Sequence, residues 1–451
     1  MKSLFLKYSI SELVDKIKDH SLSHTELVNE TIDAFSIHEK KCLAWEVFEP
    51  DRLIQASEIA ASIYKRRGHA LELEGIPFGV KDIFNTREYP TQMGSVLWKG
   101  FTPGNNARVV DSICNAGGIV AGKTVTAEFA VHQLNQTLNP HNNLKTPGTS
   151  SSGSAAAVSC GMVPFSLGTQ TAGSIMRPAS FCGIWGFKPS FGTIPRTGIL
   201  KTTDTLDTVG FLSANGMSIR PIFNQLRVKG PNYPFVFKNI DKKLAENKRK
   251  NHWEVALIKT HTWDSAKDYA KLSLQNFVYQ LDSKHNIHIT EINWPASLSE
   301  THLIHEIIYS KSLSYYFQNE INQGATDISP IMYEMIERGK EISLDTFKHA
   351  LSEQQRIIAE VDQLLSRFDV GISLSTSSSA PERGQLELQD PSLIWTMSHI
   401  PALSAPRFRC PDNMPYGIQI VSRKYNDYLL LDFIEKLIKN NILTAGIEKI
   451  L

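Results

Sequence analysis

Residues 147–198 read PGTSSSGSAAAVSCGMVPFSLGTQTAGSIMRPASFCGIWGFKPSFGTIPRTG. Serine, glycine, alanine and threonine dominate the stretch, and such small side chains let backbones approach closely and turn tightly. Two serine-bearing loops lie within it. Gly148-Thr149-Ser150-Ser151-Ser152-Gly153-Ser154 runs into a helix start at Ala155–Val158, and its hydroxyls can relay a proton between two polar groups. Gly168-Thr169-Gln170-Thr171-Ala172-Gly173-Ser174-Ile175 reads as a sharp turn that sets one serine beside several free backbone N–H groups, a combination suited to holding an oxyanion.

Upstream, Gly79-Val80-Lys81-Asp82 ends an apolar run in a lysine. Apolar surroundings lower a lysine pKa by up to about 3–5 units, which makes the neutral amine a base near pH 7. Cleaving an unactivated amide requires a strong nucleophile, a base to take its proton and donors for the developing oxyanion. The three segments can supply all of these without histidine. Singly, each has a plainer reading: a strand-end surface lysine, or a loop that is only a loop.

Together they resemble the amidase signature family. The stretch 147–198 follows that signature almost residue by residue, GIPFGVKDIFNT (75–86) resembles the family's lysine segment, and AGKTVTAEFA (121–130) resembles the strand and loop after it. LDTVGF (206–211) continues the match, with a weaker echo in HIPALSAP (399–406) and MPYGIQIVSR (414–423). The resemblance implies a single α/β/α domain around a large mixed β-sheet covered by helices on both faces. It makes Lys81 the base and Ser174 the nucleophile that forms an acyl-enzyme. Ser150 becomes the bridging serine, held by a cis peptide bond in the family, and Ser151 its supporting neighbour. The amides of Thr171, Ala172, Gly173 and Ser174 fall where the family builds its oxyanion hole. No cofactor and no metal are implied, and the substrate is a small-molecule amide.

The chain also departs from the common pattern. Gln170 stands where many relatives carry aspartate, Ala172 where many carry glycine, and Met176 precedes Arg177 where many place the arginine directly after Ser174-Ile175. The lost acid and the shifted arginine can be linked, because a buried charge without its partner is costly.

Bulk properties fit a soluble enzyme. The 451 residues carry 47 Lys+Arg against 46 Asp+Glu, a formal charge of +1, which excludes a global positive field for nucleic-acid binding. The basic run 242–250 is broken by Leu244, Ala245 and Glu246 and reads as a solvated linker. No stretch approaches the roughly 18 apolar residues of a membrane span, and the N-terminus lacks a secretory apolar region. Five scattered cysteines without C-x-x-C spacing indicate neither a disulfide framework nor a zinc site, and point to a reducing cytoplasm. Monomer and homodimer both remain open.

Along residues 1–451, read as one domain, the texture divides into four parts. Residues 1–70 form a helical segment: Ser9-x-x-Glu12 and Ser23-x-x-Glu26 are capping boxes, and Asp51–Lys65 turns Leu53, Ala56, Ile59 and Ile63 to one side. Residues 71–215 form the catalytic core. Residues 220–395 are a variable, mainly helical region that shapes the substrate site, with a strand at Trp253–Lys259 and helices at Ser265–Leu281, Ser297–Gln318 and Leu344–Phe368. Residues 396–451 return a core strand, Pro415–Val421, and a helix, Asp427–Ile438. An acyl pocket is expected to draw on Phe181, Trp395 and Met397, favouring an apolar or aromatic acyl group.

Rival readings are weaker. Gly117–Thr124 satisfies G-x-x-x-x-G-K-T, but Ile119-Val120-Ala121 reads as a strand and not as a phosphate-cradling turn. A Ser-His-Asp hydrolase using His132 or His141 lacks a G-x-S-x-G elbow, so these histidines read as loop residues or pocket walls. The pairs His302/His305 and His285/His288 lack metalloprotease spacing and read as partly exposed helix residues. A silent binding module of the same fold would not need all three reactive positions filled. Within the family, the alternative is the glutamine-hydrolysing amidase subunit of a tRNA-dependent amidotransferase, which passes ammonia to a partner subunit.

Overall fold

The computed structural model describes residues 3–229, 239, 240, 243, 252–282, 285–385 and 387–447; apart from residue 243, the basic run 242–250 lies outside them. Both N-terminal capping boxes form. Ser9 accepts from the Glu12 N–H and the Glu12 carboxylate accepts from the Ser9 N–H, opening the helix Ile10–Lys18; Ser23 and Glu26 open His24–Cys42 in the same way. The third amphipathic stretch is the helix Pro50–Arg67, but only part of its expected face is buried. Leu53 and Ser57 are buried, whereas Ile59 and Ile63 are 62% and 41% exposed. Positions 53 and 57, one turn apart, meet the core, so the stripe through Ile59 and Ile63 rolls outward onto a surface groove of about 370 Å³.

Eleven strands form one mixed sheet: β1 (Trp45–Phe48), β2 (Pro77–Lys81), β3 (Ile119–Thr124), β4 (Phe165–Gln170), β5 (Trp185–Lys188), β6 (Thr208–Ser213), β7 (Trp253–Ile258), β8 (Ile287–Ile292), β9 (Val370–Leu374), β10 (Ala402–Arg409) and β11 (Pro415–Val421). Their order is β1-β3-β2-β4-β6-β5-β10-β11-β9-β7-β8. The expected single large α/β domain is thus present. The segment 220–395 supplies three of its strands as well as helices, among them Asp268–Leu281, Thr301–Tyr316 and Leu344–Leu364. Every residue of β2, β4, β6 and β11 is buried, as in strands covered by packed layers on both faces.

Two parallel pairings fix where chemistry can sit. β2 runs parallel to β3 on one side and to β4 on the other. The three carboxyl ends, at Lys81, Thr124 and Gln170, therefore open along one edge of the sheet, where ligands bind in open α/β folds. The loop after β4 then turns into the short helix Met176–Phe181, and β6 returns antiparallel to β4 with Thr208 opposite Gln170.

The P-loop match dissolves into this sheet. Residues 119–124 are β3 itself, and Lys123 is fully buried. Its ammonium lies 2.9 Å from Asp82 Oδ1 and donates to the carbonyls of Phe84 and Pro90 and to Thr91 Oγ1. This lysine ties the loop after β2 to β3. Removing one member of a buried pair leaves the other uncompensated. Lys123→Met should therefore lower unfolding stability by about 3–5 kcal/mol in urea titration, with part of the loss recovered when Asp82→Asn is added. ATP should leave the wild-type melting temperature unchanged.

Candidate active site

Lys81 ends β2 with no solvent exposure. Its Nζ donates to Ser150 Oγ at 2.8 Å, Ser151 Oγ at 3.0 Å and Thr169 Oγ1 at 3.1 Å, so each ammonium hydrogen meets one hydroxyl. Burial drives its pKa down to about 7, while the Asp207 carboxylate pulls it upward. Three elements converge to make this nest: the end of β2, the end of β4 and the turn before the helix Ser152–Ser159.

That turn delivers the serines through left-handed backbone. Gly148 has φ 100° and Thr149 φ 64°, and a Cβ at Gly148 would lie 2.6 Å from Pro178 Cα, so only glycine fits there. Among the described residues every peptide bond is trans, in contrast to the cis bond that the resemblance implied before the bridging serine. The left-handed pair at 148 and 149 makes the reversal instead. Ser150 Oγ donates to the Ala130 carbonyl at 2.9 Å, and Thr126 Oγ1 donates to the Ser150 carbonyl at 3.1 Å.

Ser174 lies in the turn after β4, 8% exposed, and its hydroxyl has no hydrogen-bond partner among the described residues. The Lys81–Ser150 link is therefore formed here and the Ser150–Ser174 link is not. The turn itself is held by its carbonyls. His305 Nε2 meets the Thr171 carbonyl at 2.9 Å, Thr396 Oγ1 donates to the Ala172 carbonyl at 2.7 Å, and the Arg177 N–H donates to the Gly173 carbonyl at 2.8 Å. The N–H groups of Thr171, Ala172, Gly173 and Ser174 find no acceptor among the described residues, whereas those of Ile175 and Met176 are both taken by Gln170 Oε1. Four successive open donors beside an unpaired serine are the site's most reactive feature.

Two of the three departures from the common pattern, Gln170 and the shifted Arg177, are compensated by one distant segment. Gln170 also donates from Nε2 to Thr396 Oγ1 at 3.1 Å, which an aspartate could not do. Arg177 pairs with Glu387 at 2.9 Å and with Asp390 at 3.5 Å. The Asp390 carboxylate in turn packs on the backbone of Gly173: a Cβ there would lie 1.7 Å from Asp390 Oδ2.

Sequence reasoning missed Asp207, His305, Thr396, Glu387 and Asp390. Asp207 accepts five hydrogen bonds, from the hydroxyls of Thr171, Thr202 and Thr203 and from the N–H groups of Thr202 and Thr203. Its one sequence signal was its place inside LDTVGF, a few residues after the pair Thr202-Thr203. His305 is buried, not partly exposed, because it reaches the turn; burial lowers its pKa to about 4. His302 bonds His261 at 2.7 Å, and His141 Nε2 meets the Cys182 carbonyl at 3.0 Å. Among the described residues no three His, Cys, Asp or Glu side chains gather as a metal site.

The expected acyl pocket also needs correction. Trp395 and Met397 are fully buried in the core, and Phe181 is 3% exposed. The cavity that borders the nest instead measures about 290 Å³ and is lined by Ile83, Ala130, Thr169, Thr171, Ile199, Leu200, Asp207 and Val209, with Arg196 and Lys201 among its remaining walls. Among its charged residues Lys201 pairs with Asp204, whereas Arg196 donates to the backbone carbonyls of Thr203, Asp204 and Asp207.

Comparison with known proteins agrees with this architecture. The family model described as Amidase matches residues 26–431. A glutamyl-tRNA(Gln) amidotransferase subunit of Dehalococcoides mccartyi is 34% identical over 227 residues, 49% of this chain and 46% of that protein. The chain thus spans about half the length of this curated relative in that match. The same-named protein of Staphylococcus carnosus is 24% identical over 464 residues, 94% of this chain and 95% of its own length. A crystal structure of an amidase superimposes with a TM-score of 0.85 at 20% identity, covering 97% of this chain and 100% of its own. A bacterial aryl acylamidase does so at 0.82 and 17%, covering 95% and 96%. At those identities the likeness to the solved structures is one of fold. The family match, running from the N-terminal helices through to β11 and the last helix, shows that this chain belongs to the Amidase family.

Proposed function

We propose that the enzyme hydrolyses the amide bond of a small uncharged molecule through an acyl-enzyme on Ser174, with Lys81 as base and Ser150 as the bridge between them. The observation that carries this reading is a fully buried lysine amine, its pKa down near 7, hydrogen-bonded to Ser150 beside a turn of open N–H groups. As Lys81 loses its third proton, the Ser150 hydroxyl turns from the Ala130 carbonyl toward Nζ and becomes free to accept the proton of Ser174. Ser174 attacks the amide carbonyl, and the N–H groups of Thr171, Ala172, Gly173 and Ser174 receive the oxyanion. The relay then reverses to protonate the leaving amine, and water releases the acid. Ser151 and Thr169 hold the amine in place throughout.

The neutral substrate follows from the charges around the site. Glutamine carries both an α-ammonium and an α-carboxylate, and each needs a free counter-charge. Arg177 is already held between Glu387 and Asp390, and in the 290 Å³ cavity Lys201 is paired with Asp204 while Arg196 and Asp207 are committed to hydrogen bonds with neutral protein groups. Aliphatic and aromatic amides suit its isoleucine, leucine, valine and threonine walls. The second reading, a glutamine-hydrolysing subunit working with a partner, is favoured by the names of the Dehalococcoides and Staphylococcus relatives. The five cysteines are free thiols, which suits the cytoplasmic setting inferred from their spacing.

A fluorophosphonate probe should label the wild type and not Ser174→Ala, and neutral aryl amides should turn over without any added subunit. Glutamine turnover that appears only with a partner subunit would replace the first reading by the second; a folded protein that takes no label would refute the acyl-enzyme. Because neutral Lys81 is the active form, kcat/KM should rise with pH through about 7 and level off above it. Gly173→Ala pushes the turn off Asp390 and should lower kcat about 100-fold or more with little change in KM. Adding Asp390→Ala to Gly173→Ala should restore part of that rate.

A further inference from the structure

The loop between β3 and the serine turn carries a histidine for which the proposed relay has no use. Ala130, whose carbonyl accepts from Ser150 Oγ, precedes His132 by two residues, and Asn135 Nδ2, three residues further on, donates to the Thr149 carbonyl and to Ser152 Oγ. The segment is therefore clamped over the serine turn on both sides of His132. The ring of His132 lies 6.2 Å from that of Tyr309, edge on; Tyr309 lies 5.6 Å from His305, and His305 bonds the carbonyl of Thr171. These contacts set the imidazole beside the wall of the turn that bears Ser174.

Two properties distinguish it from the other histidines near the site. His305 is consumed by the turn and His302 by His261, whereas neither ring nitrogen of His132 has a hydrogen-bond partner among the described residues. Its side chain is also open to water, yet its pKa is lowered to about 4, first by desolvation and then by the charges of Arg177 and His305. It is thus exposed to solvent while packed edge-on against Tyr309. There it is a neutral imidazole with one donor and one acceptor unspent.

We propose that His132 is the specificity-determining contact through which the enzyme reads an uncharged polar group of its substrate, such as a hydroxyl, ether or second amide lying away from the scissile bond. The proposal rests on the acyl-enzyme reading of Ser174. A site that hydrogen-bonds a substrate group discriminates against the analogue lacking it, because the protein group is then left unpaired. An entirely apolar amide gains nothing from an imidazole at this place.

The test uses pairs of neutral amides, each hydroxyl- or ether-bearing member matched with its hydrocarbon counterpart, on the wild-type chain and on His132→Phe and His132→Gln. In at least one pair the wild type should prefer the polar member by about 10-fold or more in kcat/KM, expressed mainly in KM. His132→Phe should erase that preference while changing the hydrocarbon rates by about twofold or less, and His132→Gln should restore part of it. Equal preference ratios in wild type and His132→Phe for every pair, or no preference in the wild type, would overturn the assignment. Fluorophosphonate labelling of Ser174 is measured on each variant. Labelling kept with unchanged ratios removes His132 alone, whereas a wild type that takes no label removes the acyl-enzyme and His132 with it.

Discussion

An amine that no water can reach is the constraint around which this structure is arranged. Lys81 sits at the end of a strand buried on both faces, so the protein must supply the polar contacts that solvent would otherwise provide. It does so with three hydroxyls, from Ser150, Ser151 and Thr169, and with the more distant charge of Asp207. Neutral acceptors satisfy the hydrogen bonds without fully compensating the charge. The amine is thereby left poised between its two protonation states near neutrality, which a carboxylate in direct contact would have prevented. Lys123, on the neighbouring strand, also has its pKa pushed down by burial, but Asp82 touches it directly and pulls it back up, and the pair serves as a structural rivet.

The second arrangement is one of opposed occupancy. Side chains and a helix N–H take the carbonyls of residues 171, 172 and 173, and Gln170 takes the N–H groups of 175 and 176, so the donors from 171 to 174 are the ones left over. Fixing one side of a peptide plane fixes the other. His305 and Thr396 therefore orient the amides of Ala172 and Gly173 without coming near an oxyanion, as positioning residues acting through the backbone. The exchange of an acid for Gln170 is legible in the same terms: an amide side chain can donate to Thr396 with one end and accept from the turn with the other.

Much of this was readable from the chain itself. The lysine segment, both serine loops and the mixed-sheet domain follow from local composition and from a fifty-residue resemblance, because those residues act through backbone turns that only certain side chains permit, as at Gly148. The capping boxes at Ser9 and Ser23 were equally local. What escaped was set by distance in sequence. Asp207, His305, Asp390 and Thr396 lie between 33 and 222 residues from Ser174 and meet its turn only once the sheet has formed. The outward roll of Ile59 and Ile63 escaped for a related reason: a helical stripe shows that one face is apolar, but the neighbours decide which edge of it is covered. Trp395 and Met397 looked like pocket walls by composition and proved to be core, since a large apolar side chain serves either role.

The order of the strands carries one further consequence. β5 and β6 complete their side of the sheet with β10, and the turn that bears Ser174 is braced by residues 305, 390 and 396. During synthesis the lysine and both serines leave the ribosome long before those braces exist. A nascent polypeptide thus carries Lys81, Ser150 and Ser174 while lacking the contacts that hold the turn at 171–174, so the assembled constellation arrives only with the last third of translation.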